Sequence, residues 1–265
     1  MGYDVRGKTV LVTGASSGIG AALAEGFAQQ GATVGICARR EQRLNEVLER
    51  VRHHSPDSRM WCVDLADLPG IEAFARTADA ELGGIDVLVN NAGIPKRRKV
   101  QALTPEIVEK VMTINYFSPI RLTLALLPRL IERKGRIVNI SSVAARLGPP
   151  GEAAYTASKA AITGWSESML IDLADTGMKV HVVNPGVIDT ELFTLPDNDD
   201  LVAEVEALPV EAIVAPVLEQ LDSGTFEIYV PEWFAKVVGG KFPETTRYFD
   251  ATIEWLRSKG KSAGE

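Results

Sequence analysis

The chain has 265 residues, enough for one sizeable α/β domain or two small ones. Its formal net charge of −7 argues against a nucleic-acid or anionic-membrane ligand. The only cysteines, Cys37 and Cys62, fall in apolar, strand-like runs, which favours buried free thiols in the cytoplasm over a disulfide framework. No apolar run reaches the ~18–20 residues that span a bilayer. No His, Cys or carboxylate cluster has metal-ligand spacing, so we expect no metal.

The first predicted unit is a strand, a glycine-rich turn and a helix. An apolar, β-branched run at 8–13 is followed by glycines spaced Gly-x3-Gly-x-Gly, and then by a helical pattern from about Ile19 to Gln30. Glycines let the backbone turn tightly, and the helix N-terminus offers N–H groups to a phosphate. This pattern favours a nucleotide site over a merely structural turn. The candidate contacts are Gly14, Ser16, Ser17, Gly18, Ile19 and Gly20.

The second strand, residues 33–38, ends in two arginines instead of an acidic residue. In a nucleotide-binding fold this end of the strand faces the adenosine ribose. A carboxylate there would bind the 2′-hydroxyl, whereas Arg39 and Arg40 can make forked, charge-assisted bonds to a 2′-phosphate. The pattern therefore favours NADP(H) over NAD(H). The alternative is that both arginines are solvated residues at the start of a helix.

Further strands are predicted at 60–63, 86–89, 135–140, 179–183 and 225–230, with helical patterns between them. This alternation predicts an α/β fold with a doubly wound parallel sheet, whose ligands bind beyond the carboxyl ends of the strands. Small or polar residues stand at those ends: Asp64 and Leu65, Asn91, Ala92 and Gly93, Ser142, then Pro185 and Gly186. The basic run at 96–99 is interpreted as a solvated loop, with contact to an acidic or phosphorylated substrate as the alternative.

A helical pattern from about Glu152 to Ala174 carries Tyr155 and Lys159. The two residues are four apart, so they project from one helical face on adjacent turns. An ammonium about 4 Å from a phenol lowers its pKa by roughly three units at an effective dielectric of ~20. We therefore expect a tyrosine whose pKa approaches neutrality and which can act as a general acid or base.

These motifs, in this order, resemble the short-chain dehydrogenase/reductase family from about Gly7 to Thr190. The resemblance rests on Thr13-Gly14-x3-Gly18-Ile19-Gly20, Asn90-Asn91-Ala92-Gly93, Asn115, Ser142, Tyr155-x3-Lys159 and Pro185-Gly186-x3-Thr190. It implies a Rossmann-like doubly wound sheet of about seven parallel strands with helices on both faces. It also implies that Val187, Ile188 and Thr190 contact the coenzyme together with Pro185 and Gly186.

The resemblance implies hydride transfer between a nicotinamide and an alcohol or carbonyl carbon. Tyr155 would be the general acid/base, Ser142 would hydrogen-bond the substrate oxygen, and Lys159 would hold the nicotinamide ribose. Asn115 would support the lysine through a water. Ser142 is preferred to Ser141 because it stands thirteen residues before the tyrosine, the family's usual interval. The alternatives are a non-catalytic NADP(H)-binding redox sensor or scaffold, and a dehydration or epimerisation on the same frame.

The chain is predicted to form one domain, with a coenzyme and catalytic core at 1–190, a substrate loop and helix at 191–224 and a C-terminal helical extension at 231–265. The extension departs from the family members that end soon after the last strand. Its aromatic residues could pack on the body, cap a substrate pocket, join a second subunit or touch a membrane surface peripherally. We expect a homodimer or homotetramer and, from the apolar loop at 192–196, a lipophilic small-molecule substrate.

Overall fold

Seven parallel strands form a single sheet in the computed structural model, which describes residues 3–200 and 205–259. The strands are β1 (Thr9–Thr13), β2 (Thr33–Ala38), β3 (Arg59–Cys62), β4 (Val87–Asn90), β5 (Arg136–Ile140), β6 (Lys179–Pro185) and β7 (Glu227–Val230). Their order across the sheet is β3-β2-β1-β4-β5-β6-β7, and every neighbouring pair is parallel. The doubly wound, Rossmann-like sheet predicted from the sequence is therefore confirmed.

Helices connect the strands and cover both faces of the sheet. They are α1 (Gly18–Gln29), α2 (Glu41–His54), α3 (Ile71–Leu82), α4 (Pro105–Met112), α5 (Ser118–Glu132), α6 (Ala144–Leu147), α7 (Ala153–Asp172), α8 (Val214–Ser223), α9 (Phe234–Lys241) and α10 (Thr245–Ser258). None of the helices in the described ranges is both long and apolar enough to cross a membrane. Residues 201–204 of the predicted substrate loop, residues 260–265 of the predicted extension, and residues 1–2 lie outside those ranges.

Two apolar cores, one on each face of the sheet, hold the layers together. Helices α1, α2 and α8 bury Phe27, Leu44 and Leu221 on one face. Helices α3, α5 and α7 bury apolar side chains, such as Leu126 and Met169, on the other. Central strands covered on both sides read as continuous apolar runs, as 9–13 and 87–89 do. Strand order reverses between β1 and β4, which opens a crevice at their carboxyl ends.

Two local features differ from the sequence predictions. Cys37 is buried as expected, but Cys62 is exposed because it ends β3, the strand at the edge of the sheet. The helical pattern predicted between the strands at 86–89 and 135–140 is interrupted by a π-helical turn, Thr113–Phe117, which carries Asn115 and precedes α5. Such turns often mark functional positions in helices.

The segment after β7 packs on the body of the domain. Phe234 and Val238 of α9 are buried against Leu147 at the end of α6. The Phe234 ring lies so close to Gly186 that a Cβ there would come within 2.3 Å of it. Helices α9 and α10 therefore stand beside the carboxyl ends of β5 and β6.

Candidate functional site

A cavity of about 650 Å³ lies along the carboxyl edge of the sheet. Most of the sequence-predicted site residues line it: Gly14, Ser16, Ser17, Gly18, Ile19, Arg39, Arg40, Asp64, Leu65, Asn91, Ala92, Gly93, Ser142, Tyr155, Lys159, Pro185, Gly186, Val187, Ile188 and Thr190. Most of these residues follow the ends of six strands, and helices α1 and α7 supply the others, which explains how positions far apart in sequence meet. Gly20 and Asn115 are the predicted site residues that do not line the cavity.

The glycine loop after β1 is shaped by close backbone packing. Gly14 has φ +67°, and a Cβ there would lie 2.7 Å from the Cα of Ala92. Asn91 holds the loop by donating from Nδ2 to the carbonyls of Thr13 and Gly14, at 2.9 and 3.2 Å. The loop leads into α1, whose N-terminus has no side-chain cap. The first N–H groups of α1 are therefore available to a phosphate.

Gly20 belongs to the packing of this loop and not to the cavity wall. A Cβ on Gly20 would come within 2.4 Å of Asn91 Nδ2 and within 2.6 Å of the Gly14 carbonyl oxygen. Gly20 does not line the cavity, and its contact with the coenzyme stays a prediction. Glycine is required there because α1 approaches the loop too closely for a side chain.

Positive charge gathers at the phosphate end of the cavity. Arg40 donates from Nε and Nη2 to Ser16 Oγ, at 3.2 and 3.0 Å, and from Nη2 to Ser17 Oγ at 2.8 Å. The exposed Arg39 lines the same wall. Asp64, at the end of β3, accepts a hydrogen bond from the backbone N–H of Ala66 at 3.0 Å. The end of the cavity thus offers two guanidinium groups beside an uncapped helix N-terminus.

Glu191 also stands at this end, and the sequence analysis missed it. Its carboxylate pairs with Arg40 and Arg43 and accepts a hydrogen bond from Ser17 Oγ at 2.7 Å. The hydrogen bond from Arg40 is the main cause that lowers its pKa to about 2. The sequence signal was its place directly after Thr190, but only the fold brings it beside arginines about 150 residues earlier.

The predicted catalytic side chains converge at the middle of the cavity. Ser142 follows β5 and Tyr155 lies in the first turn of α7, where the Ser142 hydroxyl is close enough to lower the pKa of the phenol. Ser142 Oγ also accepts from the Ala144 N–H at 3.1 Å. Ser141 Oγ instead bonds the Lys159 carbonyl at 3.1 Å and Thr163 Oγ1 at 2.8 Å. Ser142, and not Ser141, is therefore the serine whose hydroxyl lies beside the Tyr155 phenol.

The pKa of Tyr155 differs from the sequence expectation. Burial raises it above its ordinary value, and the negative charge of Glu152 raises it further, while the hydrogen bond with Ser142 lowers it. The Lys159 ammonium lies 5.7 Å from the centroid of the phenol ring. It makes a 2.7 Å hydrogen bond to the carbonyl oxygen of Ile140. The expected shift toward neutrality is therefore absent from this arrangement, because desolvation outweighs the lysine charge.

Lys159 and Asn115 are both buried near Tyr155. Lys159 is 5% exposed, and burial lowers its pKa to about 8. Asn115 Oδ1 accepts from the Ile94 N–H at 2.9 Å, and its Nδ2 donates to the Ile94 carbonyl and to Ser158 Oγ, both at 3.0 Å. The side chain of Asn115 therefore joins the π-helical turn to the loop after β4 and to α7, without facing the cavity.

Apolar side chains line the part of the cavity beyond Tyr155. They are contributed by α6, by the loop after β6 and by the C-terminal helices: Val143, Leu147, Leu192, Leu195, Phe234 and Tyr248. Thr252 of α10 lines the same wall. Of the predicted apolar loop, the side chain of Phe193 lies outside the described part of the structure. The C-terminal helices thus both pack on the body and close one side of the cavity.

The basic run at 96–99 is not a solvated loop, because it pairs with the acidic run at 197–199. We call this set of contacts the charged clasp. Lys96 Nζ lies 3.7 Å from an Asp197 carboxylate oxygen, and Arg98 Nη1 lies 2.9 Å from one of Asp199. Arg97 is 3% exposed and donates from Nε to the Asp199 carbonyl at 2.9 Å. Both runs flank the apolar part of the cavity.

The described ranges contain no cluster of side chains that could act as metal ligands. Among residues 3–200 and 205–259, no group of three or more His, Cys, Asp or Glu side chains is arranged to hold an ion. His53 and His54 are exposed on α2. His181 is buried in β6 and hydrogen-bonded through Nδ1 to the Thr225 carbonyl at 2.8 Å, so it serves packing.

Comparison with known proteins agrees with this geometry. A family model described as short chain dehydrogenase matches residues 8–200. A short chain dehydrogenase of Pseudocercospora fijiensis (strain CIRAD86) is 38% identical across 97% of this chain and 86% of that protein. A 3-oxoacyl-(acyl-carrier-protein) reductase of Vibrio cholerae is 33% identical across 80% of this chain and 86% of that protein. A Drosophila melanogaster protein named dehydrogenase/reductase SDR family protein 7-like is 39% identical, and the aligned region spans 59% of its length.

Solved structures share the fold. A putative short-chain alcohol dehydrogenase from Sinorhizobium meliloti superposes with a TM-score of 0.78 at 23% identity, covering 88% of this chain and 98% of that one. An alcohol dehydrogenase from Thermococcus sibiricus, complexed with 5-hydroxy-NADP, gives 0.74 at 24% identity, covering 84% and 95%.

The sheet, the phosphate-binding turn and the family match together define a nucleotide-binding oxidoreductase. The chain belongs to the short chain dehydrogenase family. Its coenzyme is a nicotinamide dinucleotide, NAD(P), and its substrate is a small molecule. The uncapped N-terminus of α1, the guanidinium groups and the Gly14 backbone fit the phosphates of that coenzyme.

Proposed function

We propose that the protein is an NADP(H)-dependent enzyme that interconverts a secondary or primary alcohol with the ketone or aldehyde, on a lipophilic substrate. The observation that carries the proposal is the convergence of Ser142, Tyr155 and Lys159 on one cavity at the carboxyl edge of the sheet. The coenzyme, when bound, supplies or accepts the hydride. The side chains of this chain position the substrate, donate or accept the proton, and stabilise the charge that develops on the substrate oxygen.

Tyr155 and Ser142 act on the oxygen of the substrate. Carbonyl reduction builds negative charge on that oxygen, and two neighbouring hydroxyl donors in the same cavity can stabilise it. The raised pKa of Tyr155 keeps its phenol protonated at neutral pH, so it is ready to donate a proton in the reducing direction. The name of the Vibrio cholerae relative, a reductase of a 3-oxoacyl group, supports the same direction.

Lys159 and Asn115 support this pair in different ways. With its pKa near 8, Lys159 carries a proton for most of the time at neutral pH and can hold a ribose hydroxyl while it stabilises a phenolate. Asn115 is a positioning residue, because its amide fixes the loop after β4 against Ser158 of α7. It thereby holds Lys159 and Tyr155 in place at the part of the cavity that would take the nicotinamide.

The preference for NADP(H) rests on the guanidinium groups at the other end. Arg40 lies on the serines of the glycine loop, and Arg39 lines the wall beside it. A 2′-phosphate there would receive forked, charge-assisted hydrogen bonds.

Replacing Arg39 with Asp, and separately Arg40 with Asp, should shift the ratio of the dissociation constants of NADPH and NADH in favour of NADH. An unchanged ratio in both variants would contradict the preference.

A lipophilic substrate is supported by the apolar wall beyond Tyr155. Leu147, Phe234 and Tyr248 together bring α6, α9 and α10 to that wall. The test is a spectrophotometric screen with NADPH over steroid, retinoid, quinone, acyl-ketone and sugar carbonyls. Turnover of lipophilic ketones but not of sugars is the expected result. Coenzyme binding without turnover of any carbonyl would favour a non-catalytic redox sensor instead.

Tyr155→Phe tests the role of the phenol. We expect kcat to fall at least a thousandfold, because the proton donor is lost, while the dissociation constant for NADPH changes less than about threefold. Tyr3→Phe is the matched control, since Tyr3 lies over the Arg136 guanidinium, away from the cavity. It should keep wild-type turnover. Substantial turnover by Tyr155→Phe would refute the assignment.

We further propose a cytoplasmic homodimer or homotetramer. The thiols of Cys37 and Cys62 are unpaired, which suits a reducing compartment. Leu124 on α5 and Ile171 on α7 are 54% and 75% exposed on the same face of the sheet, as expected of a subunit interface. Peripheral membrane contact through exposed Trp233 and Phe242 of the tail is the remaining proposal, and vesicle sedimentation tests it.

A further inference from the structure

Glu152 is a buried carboxylic acid beside the catalytic tyrosine that none of the roles above uses. It stands three residues before Tyr155, at the N-cap position of α7, and it lines the cavity. It is 8% exposed. A side chain at this position can accept hydrogen bonds from the first N–H groups of the helix, but the Glu152 side chain makes no capping hydrogen bond. Its carboxyl group is therefore directed elsewhere than toward the α7 backbone.

Arg97 is the positively charged residue that acts on the Glu152 carboxyl group. Burial raises its pKa to about 7, and the charge of Arg97 opposes that rise. Arg97 is itself held by the charged clasp, through Nε to the Asp199 carbonyl and through its backbone N–H to Asn198 Oδ1. No hydrogen bond within residues 3–200 and 205–259 reaches the Glu152 carboxyl group. A buried carboxyl group without a partner in a ligand cavity is a group that a ligand can satisfy.

We propose that Glu152, with Arg97 behind it, forms a polar subsite that binds a second hydroxyl group of the substrate, beside the reacting carbonyl. The inference rests on the proposed function, and it narrows the substrate class to hydroxyketones and the corresponding diols. Glu152 and Tyr155 line the same cavity, and the charge of Glu152 acts on the Tyr155 phenol, so the hydroxyl that the subsite binds lies close to the reacting carbonyl.

Charge complementarity selects a hydroxyl over an ion. A substrate anion would meet the Glu152 carboxylate, and a substrate cation would meet the Arg97 guanidinium. A neutral hydroxyl avoids both repulsions and donates a hydrogen bond to the carboxyl group. The rest of the wall is apolar, so this hydroxyl would be the polar handle on an otherwise lipophilic molecule.

The test compares paired ketones that differ by one hydroxyl. Wild type, Glu152→Gln and Glu152→Met are assayed with NADPH on 2-octanone and 1-hydroxy-2-octanone. The ratio of the two kcat/KM values cancels any effect of the substitution on Tyr155. We expect wild type to prefer the hydroxyketone about tenfold or more, Glu152→Gln to keep part of that preference, and Glu152→Met to lose it. Glu219→Met, on the exposed side of α8, is the control and should keep the wild-type ratio.

A binding measurement separates this inference from the proposed function. Isothermal titration of 1,2-octanediol and 2-octanol into the same proteins should show tighter diol binding in wild type and equal binding in Glu152→Met. If no ketone is turned over, the proposed function fails, and the titration still decides the subsite. Equal binding of the two alcohols by wild type, a diol preference that survives in Glu152→Met, or tighter binding of 1-amino-2-octanol than of the diol would overturn the hydroxyl subsite.

Discussion

At the scale of single residues, Glu191 places a negative charge where the cavity gathers its positive ones. The carboxylate binds Arg40, Arg43 and the Ser17 hydroxyl, so an incoming phosphate would have to share these donors with it. Glu191 also directly follows Thr190, at the start of the loop that carries Leu192 and Leu195 to the apolar wall. One side chain thus connects the coenzyme end of the site with the substrate loop.

Glu191→Gln should therefore strengthen NADPH binding. Removing the competing carboxylate leaves the arginines to the phosphate, and because these groups are partly exposed we expect a gain of about three- to tenfold. Fluorescence titration with NADPH and NADH measures it, with the larger change for NADPH. Glu211→Gln, in the exposed turn before α8, is the control. Weaker NADPH binding would mean that Glu191 orients Arg40 instead of competing with the coenzyme.

Glu152 makes the stability of the fold depend on pH. Its pKa is about 7 in the folded protein against 4.5 in the unfolded chain, since burial disfavours the charged form. The stability linked to this group is fully present below pH 4.5 and is lost as the pH rises through about 7. The groups that face it are Arg97, whose charge opposes the rise, and Tyr155, whose own pKa is raised by burial so that its phenol stays protonated over this range.

Urea unfolding of Glu152→Gln at pH 5 and pH 8 checks this dependence. The variant should gain roughly 2–3 kcal/mol of unfolding free energy over wild type between the two pH values, because it has no proton to lose. The comparison with wild type at each pH cancels the other titrating groups. A difference between the two proteins that is the same at pH 5 and pH 8 would contradict the elevated pKa.

At the scale of elements, the charged clasp joins the loop after β4 to the loop after β6 across the mouth of the apolar part of the cavity. Individual exposed ion pairs contribute about 0.2–1 kcal/mol, so a single pair would matter little. Here Arg97 is buried, and backbone groups of both loops take part: the Asp199 N–H donates to the Arg97 carbonyl at 3.0 Å, and Arg97 Nε donates to the Asp199 carbonyl at 2.9 Å. The clasp therefore fixes the distance between the two walls that hold the substrate.

A double-mutant cycle of Arg98→Gln and Asp199→Asn measures the clasp. Each single substitution should raise KM about two- to fivefold, and the double substitution should be no worse than either, with a coupling of about 0.5–1 kcal/mol. The wild-type KM should rise in 0.5 M NaCl, and that of the double variant should rise less. The control pair is Arg129 and Glu132 on the surface of α5, which lie 2.7 Å apart. Additive effects on KM would show that the clasp does not act as a unit.

At the scale of the whole molecule, the sheet separates two tasks. One layer, α1, α2 and α8, stands at the end of the cavity proposed for the coenzyme. The other layer, α3, α5 and α7, includes the helix of Tyr155 and exposes Leu124 and Ile171.

A substitution of both exposed residues by Glu should convert the proposed homo-oligomer to a monomer, because charge at the centre of an interface is costly to bury. Size-exclusion chromatography with light scattering measures the mass. A wild-type monomer, or an unchanged mass in the variant, would reject this interface.

The sequence by itself determined the sheet, the crossover helices and the strand ends at which the ligand cavity lies. Apolar periodicity and glycine spacing are local properties, and parallel strands must present their carboxyl ends on one edge, so the positions of Gly14, Ser142 and Tyr155 follow from pattern alone. Spacing also placed Lys159 on the face of Tyr155. It could not give the pKa of the phenol, because burial depends on which groups the rest of the chain packs around it.

Only the tertiary structure decided the roles of Glu152, Arg97 and Glu191. Each looks like an ordinary surface charge in the sequence, yet each meets its partner across a large separation, as when Arg97 reaches residues 101 and 102 positions later. The physical reason is that charge and hydrogen-bond energies depend on distance and desolvation in space. Both are set when the loops after different strands fold over the same edge of the sheet.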